Sequence, residues 1–301
     1  MAKYHILYNP LAGNGACTEK VRELSSILSG DELEYCDMTK ISDYGEFFAS
    51  VPAEDRVLVA GGDGTLNRFV NDTLGLEYGR DIYYFAAGSG NDFLHDLELT
   101  EKENKVVVIN KYITNLPVVT VNGKKYKFIN GIGYGIDGYC CEVGDAMRAA
   151  GKTNINYTTI AIKGLLGKYK RVNASVTVDG VIKEYKKVWL VPTMNGRFYG
   201  GGMMPTPDQD RLDGEGYVTT MTMFGQNKLK TLIVFPSIFK GKHVEHTEMV
   251  EIRRGHKVKV SFDTPTALQI DGETILGVTE YEVDSGAEAR SLNSFAERAE
   301  A

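Results

Sequence analysis

Apolar and polar positions alternate with two periods over the first 110 residues. Short apolar runs at Tyr4–Tyr8, Leu33–Cys36, Val57–Ala60 and Ile82–Ala86 have the length of buried strands. Between them, Thr18–Ser29 sets Val21, Leu24 and Leu28 at helical spacing, and Ser42–Ser50 and Thr65–Leu74 also read as helices. Strands alternating with helices predict a parallel sheet with helices on its faces. From about Leu116 the rhythm changes. Val118–Val121, Lys125–Ile129, Ala174–Val178, Lys187–Val191, Tyr217–Met223, Val250–Arg253, Lys257–Phe262, Ala267–Ile270 and Thr279–Val283 read as strands. Asn122-Gly123 and Asp179-Gly180 are hairpin signals. Two helical stretches, Glu142–Gly167 and Gln226–Phe239, interrupt the strands. The expected fold class is α/β plus β: an α/β domain over residues 1–122 and a mainly antiparallel β domain over residues 123–285. The Ala/Glu/Arg-rich end, Ala287–Ala301, reads as a short helix or a frayed tail.

Composition agrees with that division. A chain of 301 residues suits two domains at roughly 150 residues each. Apolar and charged contents of 43% and 25% exclude a mostly disordered chain. Glycine is the outlier, with 33 residues; lacking a Gly-X-Y period and having only 8 prolines, the chain is not collagen-like. The excess belongs in turns or where backbone approaches something closely. Four irregularly spaced cysteines, Cys17, Cys36, Cys140 and Cys141, do not resemble a disulfide framework and suit a reducing, cytoplasmic compartment. The longest apolar stretch, Leu232–Phe239, is broken by Pro236 and Ser237, too short to span a bilayer. The net charge of −6 divides into −9 over residues 1–122 and +3 over residues 123–301. Residues 123–187 hold 12 basic and 5 acidic side chains, either a solvated face or one suited to an anionic membrane or nucleotide phosphates.

The densest chemical signal is the segment from Val57 to Asn67, where an apolar strand meets Gly61-Gly62-Asp63-Gly64-Thr65. Glycines there admit backbone N–H groups to a phosphate, and the following helix offers its positive end. Asp63 repels phosphate directly, so a magnesium ion or a hydroxyl would sit between them. Two further glycine loops follow strands, Asn9-Pro10 to Gly15 and Gly88-Ser89-Gly90-Asn91-Asp92. Ligands of open α/β sheets bind at the carboxyl ends of strands, so the three loops should converge on one crevice.

These residues resemble the diacylglycerol kinase catalytic-domain family, and within it the stand-alone bacterial lipid kinases. The resemblance runs in order through Asn9-Pro10, Gly61 to Asn67, Gly88 to Phe93, Asn130 to Asp137, Tyr199 to Gly202, Leu212 to Gly214, Gly241 to His243, and Gln269 to Glu273. It implies an N-terminal ATP-binding domain with ATP in a cleft, a C-terminal β-sandwich for the lipid substrate, and a chain end, residues 286–301, that packs back on the first domain. Carried over by position, Asn9, Pro10, Gly13, Gly61, Gly62, Asp63, Gly64, Thr65, Asn67 and Ser89 would contact the nucleotide. Asp63, Asp92 and Asp137 would surround the phosphates and catalytic magnesium. Glu273, with Asp271 beside it, would accept the proton of the lipid hydroxyl. A structural magnesium would sit at Asp213 with the backbone carbonyls of Asp210 and Glu215. The implied enzyme is an ATP-dependent lipid kinase of phospholipid metabolism at the inner membrane face, its lipid tail received by apolar residues drawn from Ile160, Ile162, Leu165, Leu166, Leu232, Ile233 and Phe235. Its oligomeric state is open.

Departures from the family pattern are Arg68 in place of an acid, Ser89 in place of threonine, and Leu94-His95 in place of Ala-Arg. They motivate a competing reading, a catalytically silent nucleotide- or lipid-binding protein. NAD kinase, which shares the Gly-Gly-Asp-Gly-Thr loop, is a second alternative, but Asn130-Gly131 stands where its Asn-Glu pair should be. Gly133 to Gly138 matches a dinucleotide fingerprint without the later acid for a ribose. His243 and His246 have no third zinc ligand nearby in sequence. No basic-aromatic platform suggests nucleic acid.

Overall fold

The computed structural model describes residues 1–12, 16–88, 90–98, 106–152, 155–225 and 228–286. It divides into two compact units, Met1–Thr114 and Asn115–Ala301. Gly13 and Ser89 lie outside the described residues, as does the tail 287–301 with its expected helix or return to the first domain.

The first unit runs β1 (Lys3–Tyr8), α1 (Ala16–Arg22), α2 (Leu24–Ile27), β2 (Glu32–Asp37), α3 (Tyr44–Ser50), β3 (Arg56–Gly61), α4 (Asp63–Asp72), β4 (Ile82–Ala86), α5 (Asp92–Asp96), β5 (Val107–Val108) and α6 (Asn110–Ile113). Its sheet order is β2-β1-β3-β4-β5. The first four strands are parallel, and only the two-residue edge strand β5 is antiparallel. Leu58, Val59 and Ala60 of β3 are fully buried, as a strand covered on both faces requires. Helix α3 starts at a capping sequence, Asp43-Tyr44-Gly45-Glu46, in which the Glu46 N–H donates to the Asp43 carboxylate at 3.1 Å. Such a cap contributes about 1 kcal/mol. Helix α4 begins at Asp63, two residues earlier than its apolar periodicity predicts, so Asp63 and Gly64 lie in its first turn.

The second unit contains β6 (Val118–Val121), β7 (Lys124–Lys127), β8 (Gly131–Tyr134), α7 (Ile136–Ala149), α8 (Tyr157–Lys163), β9 (Val172–Val178), β10 (Val181–Val188), β11 (Thr193–Met194), β12 (Val218–Met223), α9 (Lys228–Val234), β13 (Val250–Gly255), β14 (Lys257–Ile270) and β15 (Glu273–Asp284). Its ten strands form one hydrogen-bonded antiparallel sheet. The long strand β14 pairs with β9 through Val258–Phe262 and with β8 through Leu268–Ile270, changing partner across its register shifts. Val119, Val176, Val260, Leu268 and Tyr281 from both branches share one apolar core. A boundary after residue 122 would divide the β6–β7 hairpin, whose strands both belong to this second sheet. The hairpin turns at Asn122-Gly123 and Asp179-Gly180 have positive φ at both residues, as their sequences require. The expected helix Glu142–Gly167 instead begins at Ile136, ends at Ala149 and resumes at Tyr157. Pro236 ends the expected Gln226–Phe239 helix early: α9 stops at Val234 and a 3₁₀ segment, Phe235–Lys240, follows.

Candidate active site

In the first unit, parallel register sets the strand ends that lead into the glycine loops side by side. Tyr8 lies opposite Ala60, and Gly61 opposite Ala86, so the chain leaves β1, β3 and β4 at one end of the sheet. The order β2-β1-β3 reverses direction between β1 and β3, and a crevice at such a switch point is where open α/β sheets bind ligands. The second and third loops touch through bare backbone. A Cβ on Gly62 would lie 3.0 Å from both the Gly88 Cα and the Gly90 carbonyl, and one on Gly88 would collide with Gly62. Asp63 ties the same loops: its carboxylate accepts from the Asp92 N–H at 2.9 Å and the Phe93 N–H at 3.0 Å, capping α5. In this arrangement Asp63 serves first as a clamp between loops. Its carboxylate keeps lone pairs for a further partner.

Gly64 behaves differently. Among the described residues, nothing lies within 4 Å of a Cβ built there, and its φ is not positive. Neither packing nor backbone conformation of the described residues requires glycine at that position. The open space lies over the first turn of the ten-residue helix α4, where the Asp63 N–H donates to the Gly90 carbonyl at 3.4 Å and the Thr65 N–H to the Gly62 carbonyl at 3.0 Å, while the Gly64 N–H has no acceptor among the described residues. Thr65 and Asn67 are buried behind it, and Asn71 donates to the Asn67 carbonyl at 2.9 Å. Asn9 closes its own loop by accepting from the Leu11 N–H at 2.9 Å. Among the described residues the buried Oδ1 of Asn91 has no hydrogen-bond partner, an acceptor at the third loop that the sequence did not mark beyond its place in the motif. Asp92 is buried beside it in the first turn of α5. Open space over the Gly64 N–H at the positive end of α4, with Asp63 and Asp92 beside it, fits a phosphate accompanied by a hard divalent cation such as magnesium.

Of the departures, Arg68 points away from this turn. It pairs with Asp72 at 3.2 Å, one helical turn on, along the exposed face of α4. Leu94 is buried and His95 exposed on α5.

In the second unit, Asp137 opens α7 and is buried. Burial pushes its carboxyl up to about 6, partly offset by a short hydrogen bond from the Tyr199 hydroxyl. Tyr199 is pushed well above the ordinary tyrosine range by burial and then by the charge of Asp137. Nothing in the spacing of the sequence links these two residues, which are 62 positions apart. The glycines around Asp137 are filled by protein. A Cβ on Gly138 would overlap the Ala267 carbonyl, and one on Gly133 would lie 2.6 Å from the Gln269 amide nitrogen.

Asp271 and Gly272 form the β14–β15 hairpin turn, both with positive φ. The Asp271 carboxylate accepts from three backbone N–H groups, Ile129 at 2.6 Å and Asn130 and Gly131 at 2.9 Å each. It anchors the turn to the start of β8. Glu273, the first residue of β15, is exposed, and no hydrogen bond or ion pair engages its carboxylate among the described residues.

The loop expected to hold a structural magnesium is bound to itself. The Asp210 carboxylate accepts from the Leu212 N–H at 2.8 Å, and that of Asp213 accepts from the Gly216 N–H at 2.6 Å while pairing closely with Arg254. Glu215 is exposed. All-oxygen donors suit magnesium or calcium, and an ion there would share Asp213 with the guanidinium. His243 is fully buried, with Nε2 at 2.9 Å from the Pro205 carbonyl, which explains it as a packed residue of the fold.

The apolar candidates separate into two groups. Ile160, Leu165 and Phe235 are buried, Leu232 is half-buried, and Ile162, Leu166 and Ile233 are exposed. Leu229 joins the exposed set. Leu229 and Ile233 are four residues apart on α9 and share one helical face, whereas Ile162 is in the last turn of α8 and Leu166 in the π-helical turn Gly164–Lys168 that follows it. The segments meet where the Lys228 ammonium approaches Gly167. No helix among the described residues is long and apolar enough to cross a membrane.

Comparison with known proteins accounts for both units. Residues 3–121 match the family described as diacylglycerol kinase catalytic domain, and residues 130–285 match the YegS C-terminal NAD kinase beta sandwich-like domain. A protein named diacylglycerol kinase from Mycobacterium tuberculosis is 26% identical over 263 residues, covering 84% of this chain and 83% of its own. A crystal structure described as a diacylglycerol kinase from Bacillus anthracis shares the fold at a TM-score of 0.58 and 19% identity, over 95% of this chain and 94% of that one. A second structure from that organism reaches a TM-score of 0.65 at 20% identity over 95% of each chain.

Proposed function

The chain belongs to the family that joins a diacylglycerol kinase catalytic domain to a YegS C-terminal NAD kinase beta sandwich-like domain, and from that membership we propose that it transfers the γ-phosphate of ATP to the hydroxyl of a membrane lipid, diacylglycerol or a close relative. The observation that carries the nucleotide half of this reading is the open turn at Gly64, framed by the Gly62–Gly88 backbone contact and the Asp63 clamp. The Gly64 N–H and the positive end of α4 bind phosphate oxygens, and Asn9, Pro10, Gly61, Gly62, Thr65 and Asn67 shape the surrounding loops. Phosphoryl transfer asks chiefly for alignment and charge neutralisation. Magnesium, when bound, would supply positive charge beside Asp63 and Asp92 in the first unit, Asp137 is the acid that the family order sets in the second, and a second magnesium at the Asp210–Glu215 loop would be structural.

Glu273 accepts the proton of the lipid hydroxyl. Its exposed, unengaged carboxylate supports that role, whereas Asp271 acts as a positioning residue through the three amides it holds. The exposed face formed by Ile162, Leu166, Leu229 and Ile233, with Lys163, Lys168, Lys228 and Lys230 alongside, rests against the lipid surface and brings the chain to its substrate. The outward course of Arg68 removes one motive for a silent protein, because its charge lies on the solvent side of α4.

The test is transfer of labelled phosphate from ATP to a panel of hydroxylated lipids in mixed micelles with magnesium. Glu273→Gln is expected to lower turnover by about 10²–10⁴-fold with ATP affinity unchanged. ATP binding without transfer to any lipid, in wild type and variant alike, would instead establish the silent reading.

A further inference from the structure

The first unit carries a second constellation, on the edge pair β2–β1 of its sheet. β1 and β2 pair in parallel with His5 opposite Glu34, and Cys36 lies two residues along the same face of β2. One imidazole nitrogen of His5, the Cys36 sulfur and a Glu34 carboxylate oxygen all lie within 4.8 Å of one another. They line a cavity of about 490 Å³ together with Lys3, Phe47 and Asp55.

The orientation of His5 is fixed from two sides. Its ring is buried, with Phe47 edge-on at 6.4 Å. Its Nε2 donates to the Asp55 carboxylate at 2.8 Å. In the neutral ring this leaves the lone pair of Nδ1 facing Glu34 Oε2 at 3.5 Å. Two Lewis bases at that separation are joined either by a proton on Nδ1 or by a metal cation, and the thiol beside them gives the metal a third ligand. A carboxylate holding one imidazole nitrogen while the other faces a cation is the usual support of a metal-bound histidine. Lys3 pairs with Glu34 at 2.9 Å and also with Glu32 at 3.3 Å, so it keeps a partner when a metal takes Glu34.

We propose that His5 Nδ1, Cys36 Sγ and Glu34 form a zinc-binding site, with Asp55 orienting His5 and water as the fourth ligand. A mixed nitrogen, sulfur and oxygen set favours zinc over magnesium, which takes oxygen ligands only. Zinc replaces the thiol proton, which leaves to solvent, and the three side chains close by about an ångström to reach bonding distances of roughly 2.0–2.3 Å. The ion would cross-link edge strand β2 to β1.

The experiment uses the full chain, stripped with a chelator and titrated with zinc by calorimetry and with cobalt(II) by absorption spectroscopy. The expected result is one metal per chain, a thiolate-to-cobalt charge-transfer band, a higher Tm with zinc, and no displacement by excess magnesium. Cys36→Ser should abolish the band and Cys140→Ser should leave it. Asp55→Asn should weaken zinc binding about 10–100-fold. Should Cys36→Ser fail to fold, zinc protection of Cys36 from alkylation in the unmutated chain, read by peptide mass spectrometry, tests the same site. No zinc binding, a band that survives Cys36→Ser, or Cys36 alkylation at equal rates with and without zinc would overturn the proposal and leave a proton shared among these groups instead.

Discussion

Two strand-to-helix turns look alike in sequence and differ in what they do. The turn from β3 to α4 and the turn from β8 to α7 are both glycine-rich, and both place an aspartate, Asp63 or Asp137, in the first turn of the helix. At the first turn, Gly62 is needed where one loop presses on another, but Gly64 faces open space among the described residues. At the second, Gly131, Gly133, Gly135 and Gly138 are each crowded by protein atoms. Glycine enrichment alone therefore does not mark a ligand. The distinguishing sign is a glycine that the protein itself does not require.

The largest expected effect falls on the packed turn. Gly138→Ala forces a methyl into the Ala267 carbonyl, so α7 and β14 must move apart. Denaturant unfolding should show a loss of about 4 kcal/mol, above the usual ~1–3 kcal/mol of overpacking because the added methyl meets backbone. A loss below about 1 kcal/mol would erase the contrast between the turns.

Asp137→Asn should act in the opposite direction. The acid is raised from 3.8 to about 6 by burial, so its ionised form destabilises the fold. Below about pH 4 it is protonated in folded and unfolded chain alike, and the penalty is absent. The penalty grows as pH rises toward 6 and is constant above that. The variant should gain about 3 kcal/mol over wild type at pH 8 and nothing at pH 3.5, while losing kinase turnover. A pH-independent difference in stability would refute the assignment.

Much of this contrast was beyond the sequence. Strands β1, β3 and β4 were legible because both faces are buried and their apolar runs are interrupted only by His5 in β1. The strand β10 was not, since it pairs only with β9 and leaves most of Val181–Val188 exposed, so no alternation survives. The strand β8 was hidden inside a run that reads as a loop motif, its glycines being required by Met194 and Gln269, distant in sequence. The order of motifs located the acids, but not their partners. The amides held by Asp271 come from residues about 140 positions away, and the tyrosine on Asp137 from a different loop. Parallel pairing likewise sets His5 beside Glu34 and Cys36, a proximity that no local pattern encodes.

The smallest structural change gives the sharpest test. Gly64→Ala adds one methyl where the described residues leave room, and alanine is the better helix former by up to about 1 kcal/mol. Calorimetric titration of wild type and variant with ATP and magnesium, paired with their Tm values, measures the central claim directly. The account predicts that wild type binds ATP and that the variant binds at least about tenfold more weakly with Tm unchanged or raised. Equal ATP affinity in the two proteins, or no ATP binding by wild type, would contradict it.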